Sequence, residues 1–426
     1  MSAYAVENLP RRWFTGEEHT NMKLTIPSDA EEILRVLNEN GHEAYVVGGC
    51  VRDSILGRCP NDWDITTSAS PYQVKELFPR TIDTGLQHGT VTVMMDKEGY
   101  EVTTYRVDGE YEDGRHPKQV TFTSSLEEDL KRRDFTINAM AYHPKEGIVD
   151  LFHGMDDMQN KVIRCVGDPL ERFHEDALRI MRAVRFSAQL GFDIEDDTAK
   201  AAKELAPTLA KISRERIHTE LNKLLLSDNP DYFSVVYDLG VMKIIIPELE
   251  NIDAHKLDRI QHFIKKTSAV LPERYAALLS CVDADTAGRI LKGLKLDNAT
   301  ISMAAKLVKY YNMNPVVSEA DVRYYINEVG ENDALRIVDF NISVCGSELI
   351  KGYTDMKKIC VMVMERGDCT ELRNLKISGK DLVGAGFPAG KQLGEILQKL
   401  LCEVLDNPKF NEYNYLLKRA VELAGQ

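Results

Sequence analysis

The segment 47-VGGCVRDSILGRCPNDWDI-65 places a glycine pair, a helix-like run and two closely spaced aspartates within a short stretch. Gly48 and Gly49 let backbone N–H groups approach a phosphate closely at the start of a helix, where the helix dipole also favours an anion. Arg52 lies one turn into that helix and can reach the same anion. We therefore predict a phosphate-binding turn here.

Asp62 and Asp64 follow this turn, and the run Trp63–Thr66 is predicted to be a β-strand. Residues two apart on a strand point to the same face, so the two carboxylates are predicted to lie side by side. Such a pair is disfavoured unless a cation separates it, and hard oxygen ligands suit Mg²⁺. A lone Asp-x-Asp is more often a solvated strand edge. Beside a phosphate-binding turn, it predicts in-line phosphoryl or nucleotidyl transfer.

Hydrophobic patterns around this segment predict a small mixed α/β domain over the first 150 residues. Residues 28–40 have helical periodicity with Ser28 as the cap, and a strand follows at Ala44–Val47. Two β-rich runs, Thr90–Met95 and Tyr100–Tyr105, are separated by a sequence typical of a hairpin turn. The pattern beyond this domain is helical throughout. The helices predicted there cover residues 174–190, 214–226, 255–266, 301–311 and 390–405.

Composition limits the classes of protein to which the chain can belong. With 426 residues and a hydrophobic share of 43%, it can bury more than one core without disulfides or metals. The eight cysteines show no CxxC pair and no Cys/His rhythm, so a zinc site is not expected. Apolar runs are too short for secretion or a membrane span, which predicts a cytoplasmic protein. The net charge of −14 argues mildly against nucleic acid as a partner, so an RNA substrate requires local arginine clusters.

Residues 47–65 resemble the first motif of the DNA-polymerase-β-like nucleotidyltransferases, in particular that of class II CCA-adding enzymes and bacterial poly(A) polymerases. Further segments resemble the motifs of this family in order over about residues 45–225. The resemblance implies an α+β fold, in which a polymerase-β-like nucleotidyltransferase head with a small mixed sheet precedes an all-helical neck, body and tail. The implied divisions are an N-terminal extension (1–27), the head (28–150), the neck (151–226), the body (227–340) and the tail (341–426).

Two parts of the head resemble further motifs of the family. The segment 101-EVTTYR-106 resembles the strand that can supply a third catalytic acid, here Glu101, although an exposed strand glutamate would give the same pattern. Asp150 and Gly154 resemble a short hinge motif between head and neck. The resemblance therefore adds Glu101 to the candidate catalytic acids.

The segment 132-RRDFTINAMAY-142 resembles the motif that recognises the ribose. Arg132 and Arg133 can bind the triphosphate, because guanidinium groups suit phosphate oxygens. Asp134 and Asn138 can form hydrogen bonds with sugar hydroxyls. These contacts would favour ribonucleotides over deoxyribonucleotides.

The segment 175-EDALRIMR-182 resembles the base-recognition motif, and its chemistry can also be argued from the residues alone. Asp176 and Arg179 are three apart, which predicts that they share one helix face. A carboxylate only accepts hydrogen bonds and a guanidinium only donates them. Cytosine and adenine both offer an amino donor beside a ring-nitrogen acceptor, whereas uracil and guanine present the reverse. The pair therefore predicts acceptance of C and A, against the alternative of an ordinary surface ion pair.

Further arginines extend this polar face. Arg182 and Arg185 continue along the same helix as candidate nucleotide-binding residues, and Arg214 and Arg216 open the next motif. They can line a path for the triphosphate or the tRNA acceptor end, or they can be a solvated helix face. In the last motif, the resemblance implies that Glu220 braces the base-recognition helix rather than touching substrate.

One long loop and the tail distinguish members of this family. The segment 107-VDGEYEDGRHPKQV-120 fills the position of a flexible loop that CC-adding relatives lack, and we expect it to assist the switch from C to A. Residues 376–401 resemble the part that contacts the tRNA body, with Lys380 and Lys391 near turn glycines. Residues 276–289 contain no His-Asp pair, so an appended phosphohydrolase activity is not expected.

The implied function is template-independent addition of CMP, CMP and AMP to the 3′ end of tRNA from CTP and ATP, with Mg²⁺ held by Asp62 and Asp64. Neither DNA nor a membrane is expected as a partner. Three alternatives stay open: an A-adding member of a split pair, a poly(A) polymerase, and a non-catalytic RNA-binding relative. Intact Asp62, Asp64 and Arg52 favour an enzyme, and the lack of extra basic C-terminal sequence disfavours the poly(A) polymerase.

Overall fold

The computed structural model describes residues 22–109 and 120–424, which form two compact units. The first comprises the described residues up to Leu257 together with Gly293–Leu296. The second comprises Asp258–Lys292 and the described residues from Asp297 onward. Most of the loop predicted to assist the switch from C to A lies outside the described residues. Its role stays a prediction, as does the division into five parts.

A mixed β-sheet forms the centre of the first unit. In chain order the strands are β1 (Ala44–Val47), β2 (Ile65–Thr67), β3 (Thr81–Gly85), β4 (Thr90–Met95), β5 (Glu98–Thr104), β6 (Arg106–Asp108), β7 (Val120–Phe122), β8 (Met140–His143), β9 (Gly147–Asp150), β10 (Val162–Ile163) and β11 (Asp193–Ile194). The main sheet has the order β3-β4-β5-β2-β1-β8-β9, in which β2 and β5 are parallel and the other neighbours antiparallel. All of β1 is buried, so the segment that follows it leaves from the middle of the sheet.

Helices accompany the sheet in the first unit, and the second unit is helical. Those of the first unit are α1 (Ser28–Glu39), α2 (Gly49–Ile55), α3 (Pro71–Leu77), α4 (Leu126–Lys131), α5 (Gly154–Asn160), α6 (Pro169–Glu175), α7 (Leu178–Leu190), α8 (Asp196–Leu205), α9 (Arg214–Leu225), α10 (Phe233–Asp238) and α11 (Met242–Ile245). The remaining helices are α12 (Ala254–Lys266), α13 (Leu271–Leu278), α14 (Ala284–Gly293), α15 (Asn298–Lys309), α16 (Glu319–Val329), α17 (Glu331–Val344), α18 (Ser347–Arg366), α19 (Gly379–Gly384), α20 (Lys391–Asp406) and α21 (Tyr413–Ala424). The predicted α+β fold is confirmed. Within the described ranges, no helix is both long and apolar enough to cross a membrane.

The first helix agrees with its predicted periodicity but not with its predicted cap. Its buried side chains recur at helical spacing and are Ala30, Ile33, Leu34 and Leu37. Ser28 is already the first helical residue, and Pro27 occupies the capping position. Proline has its φ preset close to the helical value and lacks a backbone donor, so it ends the preceding extended segment without a side-chain cap.

The predicted strand around the two aspartates begins later than expected. β2 starts at Ile65, so Asp62 and Asp64 precede the strand and do not lie on it. Asp64 is still anchored, because its carbonyl accepts a hydrogen bond of 3.0 Å from the backbone N–H of Val47. β1 ends at Val47, and the chain turns away at Gly48. Asp62 therefore has no residue of β1 opposite it. The sheet therefore positions Asp64 more firmly than Asp62.

The predicted helix 174–190 is two helices, α6 and α7, which are separated at Asp176. Asp176 has an extended backbone (φ −143°, ψ 103°), and its Oδ1 accepts a hydrogen bond of 3.0 Å from the N–H of Leu178. An aspartate that bonds the turn following it competes with continuation of the helix. Asp176 and Arg179 therefore do not share one helix face, which corrects the sequence prediction.

Gly154 lies at a corner where the backbone of another segment comes very close. A Cβ atom added there would stand 2.4 Å from the carbonyl oxygen of Thr136. The carboxylate of Asp150 accepts hydrogen bonds of 2.8 Å from the N–H groups of Gly154 and Met155, at the start of α5. The two residues of the predicted hinge motif thus hold a tightly packed corner.

We expect Gly154→Ala to lower the free energy of unfolding of the first unit by about 1–3 kcal/mol, the usual cost of overpacking. The measurement is urea denaturation followed by circular dichroism. The matched control is Gly288→Ala, inside α14, where an added Cβ meets nothing within 4 Å. The control should gain up to about 1 kcal/mol, because alanine favours a helix interior. A Gly154→Ala midpoint equal to that of the wild type would contradict the close contact.

Candidate active site

A cavity of about 840 Å³ lies in the first unit. It is bordered by the turn after β1, the segment before β2, the residues between α4 and β8, and the helices α7 and α9. The predicted site residues that line it are Gly48, Gly49, Arg52, Asp62, Asp64, Arg132, Arg133, Asp134, Asn138, Asp176, Arg179, Arg182 and Arg185. Glu101 is not among the lining residues. A cavity of this size is typical of a site for a small molecule such as a nucleotide.

The glycine turn has a different role from the one predicted for Gly48. Its backbone is left-handed (φ +82°), and its N–H donates a hydrogen bond of 3.1 Å to the carbonyl of Met140 in β8. That N–H is therefore already used by the sheet rather than facing a phosphate. A Cβ at Gly48 would also stand 3.0 Å from Nη1 of Arg133. Glycine is required here because of its φ and because a guanidinium lies directly against it.

The acidic pair has the electrostatics of a cation site. Asp62 is exposed and Asp64 is half-buried. Burial and the charges of Asp62 and Glu101, opposed by the charge of Arg133, raise the pKa of Asp64 to about 6. A hard divalent cation would reverse this penalty by pairing with the carboxylate oxygens.

Glu101 stands beside this pair in the sheet register. β2 and β5 pair with Ile65 opposite Val102, so Glu101 is the β5 residue beside Asp64. Its side chain is exposed, however. Across the residues that the structure describes, no three His, Cys, Asp or Glu side chains are grouped closely enough to hold a metal ion. The predicted metal ligands are therefore still Asp62 and Asp64, and Glu101 stays a predicted third acid.

Arg132 and Arg133 are held by an acid that sequence reasoning missed. Asp129 in α4 is fully buried, and its carboxylate lies 2.8 Å from Nη2 of Arg132 and 3.3 Å from Nη2 of Arg133. Burial alone would raise the pKa of Asp129, but the two guanidinium groups outweigh it and hold that pKa below its usual value. Nε of Arg133 is buried and has no hydrogen-bond partner within the described structure. Arg133 lines the cavity and so has a donor with which it can bind an anion there.

A chain of hydrogen bonds connects the glycine-turn helix with α7. Arg52 donates from Nη1 to Oδ1 of Asn138 (2.5 Å), and Asn138 donates to Oδ1 of Asp134 (3.1 Å). Asp134 also accepts from the N–H of Phe135 (2.9 Å) and from Nε of Arg182 (2.7 Å). Burial opposes ionisation of Asp134, but Arg182 and Asn138 outweigh it and lower its pKa. Both oxygens of Asp134 are occupied, so its predicted contact with a sugar hydroxyl stays a prediction.

Asp176 and Arg179 both face the cavity, but each has its own protein partner. Asp176 forms a bidentate ion pair with Arg216 of α9, with distances of 3.3 Å and 2.7 Å. Arg179 pairs with Glu175 at 2.5 Å and donates to the carbonyl of Arg132 at 3.0 Å. The two residues predicted to recognise the base are thus positioned by α9, by Glu175 and by the segment around Arg132, and not by each other.

Two further arginines named in the sequence analysis, Arg185 and Arg214, have different surroundings. Arg185 is buried and pairs with Glu220 at 2.5 Å, which agrees with the prediction that Glu220 braces the base-recognition helix. Arg214 instead donates to the carbonyls of Ile244 and Ile245 (3.1 and 3.3 Å) and does not line the cavity. The side chain of Arg214 therefore binds the end of α11 outside the cavity, and its place on a path for RNA stays a prediction.

The charge of the cavity is opposite to that of the whole chain. Its basic lining residues are Arg52, Arg58, Arg132, Arg133, Arg179, Arg182, Arg185, Arg216 and Lys223. Its acidic lining residues are Asp53, Asp62, Asp64, Asp134, Asp176 and Asp228. Positive side chains therefore outnumber negative ones in the cavity although the chain carries −14 overall. This is the local redistribution that an anionic substrate requires.

Three family models match successive parts of the chain. Residues 44–164 match the model described as "Poly A polymerase head domain". Residues 191–253 match "Probable RNA and SrmB- binding site of polymerase A", and residues 272–420 match "tRNA nucleotidyltransferase domain 2". The first match contains the glycine turn, the aspartate pair and the ribose segment.

Individual relatives match over nearly their whole length. The chain is 38% identical over 410 residues to the CCA-adding enzyme of Limosilactobacillus fermentum, covering 94% of this chain and 98% of that protein. It is 40% identical over 400 residues to the CCA-adding enzyme of Leuconostoc mesenteroides, covering 92% and 96%. Among solved structures, it is similar to the Bacillus stearothermophilus CCA-adding enzyme in complex with CTP, with a TM-score of 0.76, 32% identity, and coverage of 93% and 98%.

Proposed function

The chain belongs to the family of CCA-adding tRNA nucleotidyltransferases, and we propose that it adds CMP, CMP and AMP to the 3′ end of tRNA from CTP and ATP, in the cavity of its first unit. The observation that supports this most strongly is the composition of that cavity, where two aspartates and a group of arginines face the same space. The named relatives also favour CCA addition over the A-adding, poly(A) and non-catalytic alternatives.

The two aspartates are proposed to hold Mg²⁺. Asp62 and Asp64 offer hard oxygen ligands, and burial together with the charge of Asp62 raises the pKa of Asp64, a penalty that a cation would offset. When bound, the metal would make the RNA 3′-hydroxyl more acidic and offset charge on the departing pyrophosphate. Anchoring of Asp64 to β1 keeps one ligand fixed relative to the glycine turn.

The arginines near the glycine turn are proposed to bind the triphosphate. Arg52 and Arg133 lie on either side of this turn, and the buried Nε of Arg133 has no partner among the described residues. Arg132 shares the carboxylate of Asp129 with Arg133 and so presents its guanidinium in a fixed orientation. Preorganised guanidinium groups stabilise charge on a leaving group without reorganising during the reaction.

Asp176 and Arg179 are proposed to read the base. A carboxylate can accept the amino group of cytosine or adenine, and a guanidinium can donate to the adjacent ring nitrogen. In UTP, a carbonyl oxygen would face the carboxylate and a ring N–H would face the guanidinium, so neither hydrogen bond could form and binding would be penalised. The bidentate contact from Arg216 holds the carboxylate of Asp176 in the cavity wall.

The tRNA body is proposed to contact the second unit. Lys380 and Lys391 are exposed there, the first inside α19 and the second at the start of α20. Exposed lysines beside a turn with left-handed glycines such as Gly386 can hold phosphate oxygens without reading sequence. Such contacts suit an enzyme that must accept every tRNA.

We expect removal of divalent metal by EDTA to abolish incorporation of both nucleotides, and Mg²⁺ to restore it. Ca²⁺ should restore little, because it takes more ligands with looser geometry than Mg²⁺. The measurement is extension of labelled tRNA on a sequencing gel, with each metal added to the same EDTA-treated protein. CTP should compete for binding of a fluorescent nucleotide even without metal, because the arginines remain. Incorporation in EDTA within tenfold of that in Mg²⁺ would contradict the metal assignment.

A further inference from the structure

The aromatic ring of Phe186 lies among three arginine side chains at the wall of the cavity. Its centroid is 4.9 Å from the guanidinium carbon of Arg52, 5.3 Å from that of Arg182 and 3.8 Å from that of Arg185. The residue is 4% exposed, and it also lines the cavity. One aromatic ring therefore contacts three guanidinium groups, one from α2 and two from α7.

Each of these guanidinium groups has a carboxylate of its own. Arg52 pairs with Asp53 at 2.8 Å, Arg182 pairs with Asp134 at 2.6 Å, and Arg185 pairs with Glu220 at 2.5 Å. The ring of Phe186 lies close to all three guanidinium groups.

Three like charges around one point repel each other, and the cost rises where water is excluded. Burial lowers the pKa of Arg185, and the charge of Arg182 lowers it further, although Glu220 opposes both. The face of an aromatic ring carries partial negative charge and attracts guanidinium groups, more strongly when they are desolvated. An aliphatic side chain of similar size would fill the space without this attraction.

We propose that Phe186 is a positioning residue for the nucleotide triphosphate, because it holds Arg52 and Arg182 at a fixed separation in the cavity wall. This inference rests on the proposed function, since it takes the bound anion to be the triphosphate of CTP or ATP. Phe186 supplies no hydrogen bond to the substrate. It sets where the cations stand, through the ring and through the chain from Arg52 to Arg182 by way of Asn138 and Asp134.

The structure provides a matched control in Phe135. This residue is fully buried, and its ring meets that of Phe186 edge to face, with centroids 5.9 Å apart and planes at 81°. Phe135→Leu and Phe186→Leu therefore remove the same aromatic pair and the same number of atoms. Only Phe186→Leu removes the ring that contacts the guanidinium groups.

The test compares these two variants with Phe186→Tyr, which retains the ring, and with Phe186→Met as a second substitution without a ring. The protein is the full chain with tRNA lacking its last nucleotides, and unfolding midpoints are recorded for each variant. We expect Phe186→Leu and Phe186→Met to raise the KM for CTP and for ATP by about tenfold each. The inhibition constant of inorganic triphosphate should rise in parallel, because that probe has no base or sugar. Phe186→Tyr and Phe135→Leu should keep both constants within about threefold of the wild type.

The outcomes separate failure of this inference from failure of the proposed function. If the wild type incorporates no nucleotide, the proposed function is wrong and the role assigned to Phe186 falls with it. If the wild type is active and Phe186→Leu keeps the KM and the triphosphate inhibition constant, the positioning role is overturned. An equal rise in Phe135→Leu would also overturn it, since lost packing would then account for the effect. A change in the CMP-to-UMP ratio without a change in triphosphate inhibition would place Phe186 at the base instead, against the proposal.

Discussion

Asp64→Asn is expected to reduce addition of both CMP and AMP by more than about a hundredfold, with tRNA binding within about twofold of the wild type. Asparagine preserves the size of the side chain but removes the charge that would bind the metal. Both additions should be lost together, because the same ligand would be used in every cycle. Asp64 is half-buried, and its backbone carbonyl is anchored to the N–H of Val47.

Asp62→Asn should reduce addition of both nucleotides to the same extent, because Asp62 is the other proposed metal ligand. The matched control is Asp83→Asn, which removes an exposed carboxylate that pairs with Lys75 in the same unit and does not line the cavity. It should leave addition unchanged. The measurement is single-turnover extension of labelled tRNA, with tRNA binding followed separately by filter retention. Addition by either of the first two variants within tenfold of the wild type would overturn the assignment of the metal ligands.

Asp176→Ala is expected to shift the ratio of CMP to UMP incorporation toward UMP by about 5- to 150-fold. The reason is that the carboxylate would no longer face the carbonyl of uracil, a buried mismatch worth about 1–3 kcal/mol. The binding of inorganic triphosphate should change much less, because the phosphate-binding arginines lie elsewhere in the cavity. The loss of the contact with Arg216 adds a second consequence, since the start of α7 loses one of its links to α9.

Two further variants separate reading of the base from general damage to the cavity. Asp176→Asn retains the shape but adds a donor, so it should favour uracil at least as strongly as the alanine variant. Asp228→Asn removes another carboxylate that lines the same cavity but is largely exposed, and it should leave the ratio unchanged. The ratio is measured with equal concentrations of CTP and UTP. An unchanged ratio in Asp176→Ala would show that this residue does not read the base.

Local sequence patterns were sufficient to predict the elements that carry the site. The buried run Ala44–Val47, the glycine pair after it and the helix at 214–226 occur within about one residue of their predicted positions. These elements depend on periodicity and on glycine, which act over a few residues. Some errors fell at element ends, as at Ser28 and at the start of β2, where a cap or a partner strand decides the boundary. The break at Asp176 inside the predicted helix 174–190 was also missed.

The partners of the site residues could not be predicted in the same way. Arg216 lies 40 residues beyond Asp176, and Asn138 lies 86 residues beyond Arg52. Sequence spacing identifies neighbours three or four residues apart on a helix, whereas these contacts exist only once the elements have packed. The prediction that Asp176 and Arg179 share one helix face was wrong because the chain leaves the helical conformation at Asp176, whose carboxylate pairs with Arg216 of α9.

The sequence analysis missed two residues of the site, Asp129 and Phe186, and only one of them could have been identified from sequence spacing. Asp129 stands three and four residues before Arg132 and Arg133, a spacing at which opposite charges stabilise each other, so it could have been identified. Phe186 carried no such signal, since an aromatic residue on a helix usually marks an ordinary core position. Its neighbours Arg182 and Arg185 suggested only a polar face until the fold placed Arg52 beside them.

The central claim is that one protein adds both nucleotides in a fixed order without a template. The most direct test incubates the wild-type chain with Mg²⁺ and a tRNA that lacks its last three nucleotides, giving CTP alone, ATP alone, and both together. We predict two added residues with CTP alone, almost none with ATP alone, and the complete CCA end with both. The result that would contradict this is no addition of CMP in any of the three mixtures, with AMP added only to a second tRNA supplied with its CC already in place.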